Sequence, residues 1–383
     1  MKAEKVSPVV SSLLEALREV PDPRVNRTLF HRLENVLFMA LLGVLSGAEG
    51  WDDLALFART HENLFCRFLE MPKGTPSADT FRRVFESLDP EAFRRAFGAW
   101  LRPILQNLEG ERIALDGKTL RGALAHSRKQ PGAFHLMHAW ATERRLLLAQ
   151  KATAGAGCEP QAAIEMLETL SIEGATITAD AGNCTKGVAG AAQKAGADYL
   201  LALKGNRSAL HTLAKGAFAK RRDNGYRGVS SFDTKESSHG RAEYRVVRAI
   251  PLGAMKESSA ATGWPGLRSL VQVERIRYAD ELSVSRCYNI TSHKASARTL
   301  ANMIRDHWKI ENELHHCLDV TFGEDRRGIR QKNAAQNFAL LSRYAVGILK
   351  RDPMKMSVAM KKRKAAWDQS YFLEVLANGF PEI

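Results

Sequence analysis

The stretch Ile113-Ala114-Leu115-Asp116-Gly117-Lys118-Thr119-Leu120-Arg121-Gly122 constrains the fold of this chain more than any other. Three apolar residues run straight into a carboxylate, then a glycine, then a lysine. A short apolar run closed by a turn signal reads as a buried strand. An aspartate at the end of such a strand is costly to bury alone, so it needs a cation, a hydrogen-bond donor or a metal ion. The arrangement recurs in Ala175-Thr176-Ile177-Thr178-Ala179-Asp180-Ala181-Gly182. Laid side by side, two such strands bring Asp116 and Asp180 together at one edge of a sheet.

The elements around these strands predict an α/β protein. Residues 1–108 read as a helical N-terminal domain, with helices over Ser11–Val20, Leu33–Leu45, Trp51–Phe57, Phe81–Leu88 and Ala92–Leu108. Ser77 and Asp89-Pro90 supply helix-start chemistry. This domain is either scaffold alone or a contact for DNA through Arg82, Arg83, Arg94 and Arg95. Over 109–206 the pattern changes to strands at Ile113–Leu115, Phe134–Ala141 and Leu146–Ala152, a helix at Pro160–Leu170, and the Asp180 strand. A helix at Val188–Ala195 and a strand at Ala197–Leu203 follow. The order β-β-β-α-β-α-β is that of a ribonuclease-H-like core, in which the first and fourth strands are neighbours.

Residues 207–292 read as a mostly β insertion, with a basic helix at Ser208–Arg222 and late strands at Leu267–Tyr278 and Ser283–Ile290. Arg241, Arg245, Arg248, Arg275 and Arg277 recur on it, either as a solvated face or as a track for phosphates. Residues 293–383 supply C-terminal helices that complete the core. A long helix over Ser296–Leu318 has an apolar stripe of Leu300, Ile304, Trp308, Leu314 and Leu318. Glu311 falls on that stripe, so the sequence predicts for it either an ion pair, with an arginine, His307 or His315, or a metal. The tail is basic and ends in Lys361-Lys362-Arg363-Lys364, a run expected to meet phosphates.

A formal charge of +14 favours a polyanionic partner. Five cysteines without a CxxC pair argue for a reducing compartment, against a disulfide framework and against structural zinc. His307, His315, His316 and Cys317 form only a weak zinc pattern. Val36–Leu45 is too short to span a bilayer, and nothing resembles a signal peptide. The expected location is the cytoplasm, at the nucleoid.

Several motifs together resemble the ISAs-group DDE transposases of bacterial insertion sequences and the related H-repeat-associated proteins. They are Asp116-Gly117-Lys118-Thr119-Leu120-Arg121-Gly122, Ala197–Asn206, His307-Trp308-Lys309-Ile310-Glu311-Asn312 with Leu314-His315, and Leu318–Asp325. Pro21-Asp22-Pro23-Arg24 and Lys362-Arg363 with Ala366-Trp367 match as well. The resemblance covers nearly the whole chain. It implies a ribonuclease-H-like core, two Mg²⁺ (or Mn²⁺) ions per site, and double-stranded DNA as partner. It further implies cleavage at element ends, strand transfer to target DNA, and a homodimer in the synaptic complex.

By matching motifs, Asp116, Asp180 and Glu311 are the catalytic, metal-holding acids. Lys118, Arg121, Lys204, Asn206, Arg241, His307 and the run Lys361, Lys362, Arg363 and Lys364 are the expected DNA contacts. For Lys118, Arg121 and Lys204, partnership with the acids is an equal reading. The chain departs from the family pattern in places. His307 stands where an arginine is usual and Leu318 where a lysine is usual. Gly182-Asn183-Cys184 lacks the usual glutamine, and Ala154–Glu159 lacks the usual Lys-Ser-Asn-Glu. A DNA-binding protein that has lost catalysis, and a nuclease without strand transfer, are the competing functions.

Overall fold

The computed structural model describes residues 7–25, 30–124, 135–238, 241–254, 261–278 and 282–380. Phe134, where the second strand was expected to begin, lies outside them, as does the side chain of Arg241. The strands are β1 (Arg112–Thr119), β2 (His135–Ala141), β3 (Leu146–Thr153), β4 (Thr176–Ala179), β5 (Asp198–Leu203), β6 (Ser230–Ser238), β7 (Arg241–Pro251), β8 (Ser269–Tyr278) and β9 (Leu282–Thr291). They form one nine-stranded sheet in the order β3-β2-β1-β4-β5-β9-β8-β7-β6. β1 pairs antiparallel with β2 and parallel with β4, and β4 pairs parallel with β5. The expected adjacency of the two acid-bearing strands is therefore met. The segment after β5 does not fold back into a separate sheet: β9 pairs antiparallel with β5, and β8, β7 and β6 continue outward.

Alternation along the strands sorts their residues between two faces. Ile113 and Leu115 of β1, Ile177 and Ala179 of β4, and Tyr199 and Leu201 of β5 pack under the helices Glu159–Leu167, Lys186–Lys194 and Ser208–Asp223. On the other face Ala114 and Trp140 join the largest apolar cluster, and Leu200, Val247 and Val271 pack on the helix Ala297–His307. Asp116 has the parity of Ala114, and Asp180 that of Thr178, so both acids belong to this second face.

The largest cluster contains the helices from both ends of the chain. Leu33–Leu45 is apolar nearly all round and is buried at every position but Glu34, as expected of a helix with no polar face. Beside it runs Lys332–Arg351, buried without interruption from Ala334 to Leu349. Two of the short N-terminal helices start with the caps read from sequence: Ser77 accepts from the Thr80 amide, and Asp89 from those of Glu91 and Ala92. No helix among the described residues is long and apolar enough to cross a membrane.

Candidate active site at the β1–β4 edge

β1 and β4 run in register with Leu115 beside Ala179. One residue further stand Asp116, still on β1, and Asp180, just past the end of β4, on neighbours that lie about 4.8 Å apart in any sheet. Asp116 Oδ1 accepts from the Gly117 amide at 2.9 Å, and its Oδ2 lies 3.3 Å from His315 Nδ1. Asp180 sits in the turn after β4, where its Oδ1 accepts from the Asn183 backbone amide at 3.1 Å and from Asn183 Nδ2 at 3.0 Å.

Glu311 reaches the same edge by a route the sequence did not reveal. The expected continuous helix breaks into Ala297–His307, a π-helical turn Ile310–His315, and a short helix His316–Val320. Ile310 and Leu314 are buried, while Trp308, where the first helix ends, is 42% exposed. Glu311 is exposed too, which corrects the apolar-stripe reading. Single π turns of this kind are frequent at functional positions. Partial burial pushes the Glu311 carboxyl above its ordinary range, and the negative charge of Asp116 and then of Asp180 pushes it further, against His315. The charges of both aspartates thus act on Glu311. His307 lies behind it, with Nδ1 3.0 Å from the Thr178 hydroxyl, and burial lowers its pKa.

The site opens into a groove of about 470 Å³ between the β4–β5–β9–β8 face and the Trp308 turn, rimmed by Lys204, Arg275 and Arg286. The remaining expected DNA contacts divide. Lys204 is exposed on this groove. Asn206 instead holds the Asp180 turn, donating to the Ala181 carbonyl at 2.7 Å. Lys118 is buried and donates to both oxygens of Asp319 at 2.6 and 2.7 Å. Arg121 is exposed, 3.7 Å from Asp325. On the outer strands Arg245 and Arg277 pair with Glu243, and Arg248 and Arg286 with Glu274.

Two residues of the basic run, Lys361 and Lys362, turn their ammonium groups to backbone carbonyls. Lys361 is only 4% exposed. Its Nζ donates to the carbonyls of Leu349 and Asp352, at 3.0 and 2.5 Å, at the end of the helix Lys332–Arg351. Lys362 Nζ donates to the Thr321 carbonyl at 2.8 Å and lies over the Phe322 ring. Both ammonium groups satisfy carbonyls that helix ends leave unpaired. Arg363 is exposed, and Lys364 lies 3.7 Å from Asp368.

The sequence reading passed over Glu159, the first residue of its helix. Its Oε1 lies 2.7 Å from His135 Nε2, and its Oε2 accepts from Asn183 Nδ2 at 3.1 Å. It closes the stretch Ala154–Glu159 that departs from the usual Lys-Ser-Asn-Glu, which was the signal available.

The donor set of the site is hard carboxylate oxygen, the chemistry that suits Mg²⁺ or Mn²⁺. The charges of Asp116 and Asp180 disfavour ionised Glu311, a repulsion that a cation near them would relieve. Among the described residues no three His, Cys, Asp or Glu side chains close on a single ion. The histidines of the weak zinc pattern point to separate partners, His307 to Thr178 and His315 to Asp116.

The two aspartates at the edge of parallel strands, beside a groove with basic residues on its rim, define this α/β protein's candidate site. Residues 108–346 match the family model described as "Transposase DDE domain", and residues 14–101 match that described as "DDE_Tnp_1-associated". The chain belongs to the DDE transposase family. It is 34% identical over 377 residues to the "H repeat-associated putative transposase YhhI" of Escherichia coli K12, covering 96% of this chain and 98% of that protein. It is 39% identical over 281 residues to the "Uncharacterized protein in dhlA 3'region" of Xanthobacter autotrophicus, covering 72% of this chain and 92% of that one. A shorter E. coli K12 relative, "Inactive transposase YbfQ", is 33% identical over 75 residues, 20% of this chain and 89% of its own length. The family generally uses a divalent metal and acts on DNA.

Proposed function

We propose that the protein is an insertion-sequence transposase with a ribonuclease-H-like core, which cuts DNA at the ends of its element and joins them to target DNA. The observation that carries this reading is the register of β1 on β4, which sets Asp116 beside Asp180, together with the coupling of Glu311 to both. The strand order β3-β2-β1-β4-β5, with only the β1–β4–β5 pairs parallel, supports the core assignment. Asp116, Asp180 and Glu311 would hold two ions, Mg²⁺ or Mn²⁺. When bound, such a pair activates the attacking oxygen and stabilises the leaving one in an in-line displacement. Lys204 and Arg275 would meet the strand's phosphates along the groove, and Trp308 walls it beside Glu311. Joining two element ends calls for two protomers in the synaptic complex.

The test uses purified protein, supercoiled DNA carrying the inverted repeats that flank its gene, and Mn²⁺. Wild type nicks at the repeat ends and joins pre-cut ends to target. Glu311→Gln, which keeps the shape, abolishes both while leaving repeat binding intact. Cleavage by Glu311→Gln at the wild-type rate removes Glu311 from the site. Wild-type protein that binds repeats without cutting or joining them is a DNA-binding derivative that has lost catalysis. Cutting without joining marks a nuclease.

A further inference from the structure

Four side chains form a chain of hydrogen bonds behind the two aspartates. Thr119 Oγ1 lies 2.8 Å from His135 Nδ1, and His135 Nε2 lies 2.7 Å from Glu159 Oε1. Asn183 Nδ2 bridges Glu159 Oε2 at 3.1 Å and Asp180 Oδ1 at 3.0 Å. The carboxylates at the Asn183 end fix the direction of donation. An ionised carboxylate only accepts, so Asn183 gives one amide hydrogen to each acid, and His135 gives its Nε2 hydrogen to Glu159. His135 Nδ1 lies against the Thr119 hydroxyl at the far end of the chain. The chain starts on β1, three residues past Asp116, and ends three residues past Asp180. It ties the two acid-bearing elements together from the face opposite Glu311.

Its members are well packed. Asn183 is fully buried, and the His135 and Glu159 side chains are 9% and 13% exposed. The residue beside Asp116 is cut away to admit it. A Cβ at Gly117 would lie 2.1 Å from Glu159 Oε1 and 2.6 Å from His135 Nε2. Only glycine at 117 leaves room for the glutamate, and this points to the same place as the hydrogen bonds do.

We infer that Glu159 is a positioning residue for Asp180, which it aims through Asn183 and which His135 and Thr119 hold at a fixed distance from Asp116. It touches neither ion nor DNA in this role. The inference rests on the metal-site reading of the proposed function. Partners that orient a metal-holding carboxylate typically contribute 10–100-fold to metal affinity.

The experiment measures Mn²⁺ binding to the full-length, DNA-free protein by calorimetry, for wild type, Glu159→Gln and Gly117→Ala, alongside metal-free melting. Glutamine at 159 accepts from His135 or from Asn183 but not from both, so Asp180 loses its brace. Alanine at 117 drives Glu159 out without altering its charge. Both variants should bind Mn²⁺ about 10–100-fold more weakly. Both should raise by the same factor the Mn²⁺ concentration needed for half-maximal nicking, and should recover most of the wild-type rate at saturating Mn²⁺. Variants that melt earlier yet bind Mn²⁺ as tightly as wild type overturn the inference and leave Glu159 a structural residue. A Glu159→Gln protein that loses one bound ion outright also overturns it, because Glu159 is then a ligand itself. Wild type that binds no Mn²⁺ while still recognising repeats defeats the metal-site reading first, and the inference with it.

Discussion

Replacing Lys361 by methionine separates a structural cation from a DNA contact. Lys361 carries a charge inside the C-terminal helical layer, 3.4 Å from Asp352 Oδ2, with side chains 5% and 1% exposed. Methionine fills most of its volume, so little cavity forms. It leaves the Asp352 carboxylate buried with the Tyr371 hydroxyl at 2.8 Å as its remaining side-chain donor, and it frees two helix-end carbonyls. Removing one member of a buried pair costs about 3–5 kcal/mol. At ~2.1 cal/mol/K per residue, the unfolding entropy of 383 residues is about 0.8 kcal/mol/K, so the melting temperature should fall by about 4–6 °C. Adding Asp352→Asn should restore part of the loss, since the stranded charge is then gone. Each phosphate contact adds about 0.9 to the salt slope of DNA binding. In Lys361→Met that slope should stay at the wild-type value. A variant that melts like wild type but shows a slope lower by ~0.9 would refute the reasoning and return Lys361 to the DNA.

Three further outcomes follow from the buried and coupled charges. In the absence of metal, Glu311→Gln should be as stable as wild type or more so. The folded-state pKa of Glu311 is raised, so wild type loses stability as pH rises from the ordinary glutamate range through that raised value, and the variant does not; equal pH dependence in the two would count against the coupling. Burial alone would raise the Glu324 carboxyl, but Arg343, at 2.6 Å, holds it below its ordinary value. Its contribution is complete above the ordinary range and is lost as pH falls through the lowered value, so Arg343→Met should cost about 3–5 kcal/mol near neutrality. The gap to wild type should narrow in acid, and denaturant midpoints across that range check it. Finally, a thiol-alkylating reagent at mildly alkaline pH should modify Cys66, Cys158 and Cys287 quickly. Cys184, buried and pushed up to about 12, should react only on unfolding; fast labelling of Cys184 in folded protein would show that the Asp180 turn opens.

The neighbouring strands of Asp116 and Asp180 were legible because an apolar run ending in an acid is a strong local pattern. The helix Leu33–Leu45 was legible to the residue, because its hydrophobicity stops where it stops. Glu311 was found through its motif but given the wrong surroundings. A period of 3.6 residues was carried across a helix that ends at Trp308 and a π-helical turn that begins at Ile310, and Trp308 and Glu311 are exposed there. The surroundings of Lys361 and Lys362 were not legible because a run of like charge records composition, whereas their partners are carbonyls at the ends of other helices. Glu159 was hidden for a similar reason. Its role depends on His135 and Asn183, each 24 residues away along the chain and brought together only by the sheet. The pairing of β9 with β5 has no local signal at all.

That pairing has a consequence during synthesis. β5 ends at Leu203 and its outer partner β9 begins at Leu282, about 80 residues later. At a synthesis rate of 5–20 residues per second, the hydrogen-bonding edge of β5 stays open for roughly 4–16 s after the strand has emerged. An open edge of a largely apolar strand invites pairing with any nascent chain nearby. A copy of the gene truncated between these two strands would therefore yield more than an inactive fragment: its product would carry a permanently unpaired strand and should end in aggregates or in the proteolytic machinery.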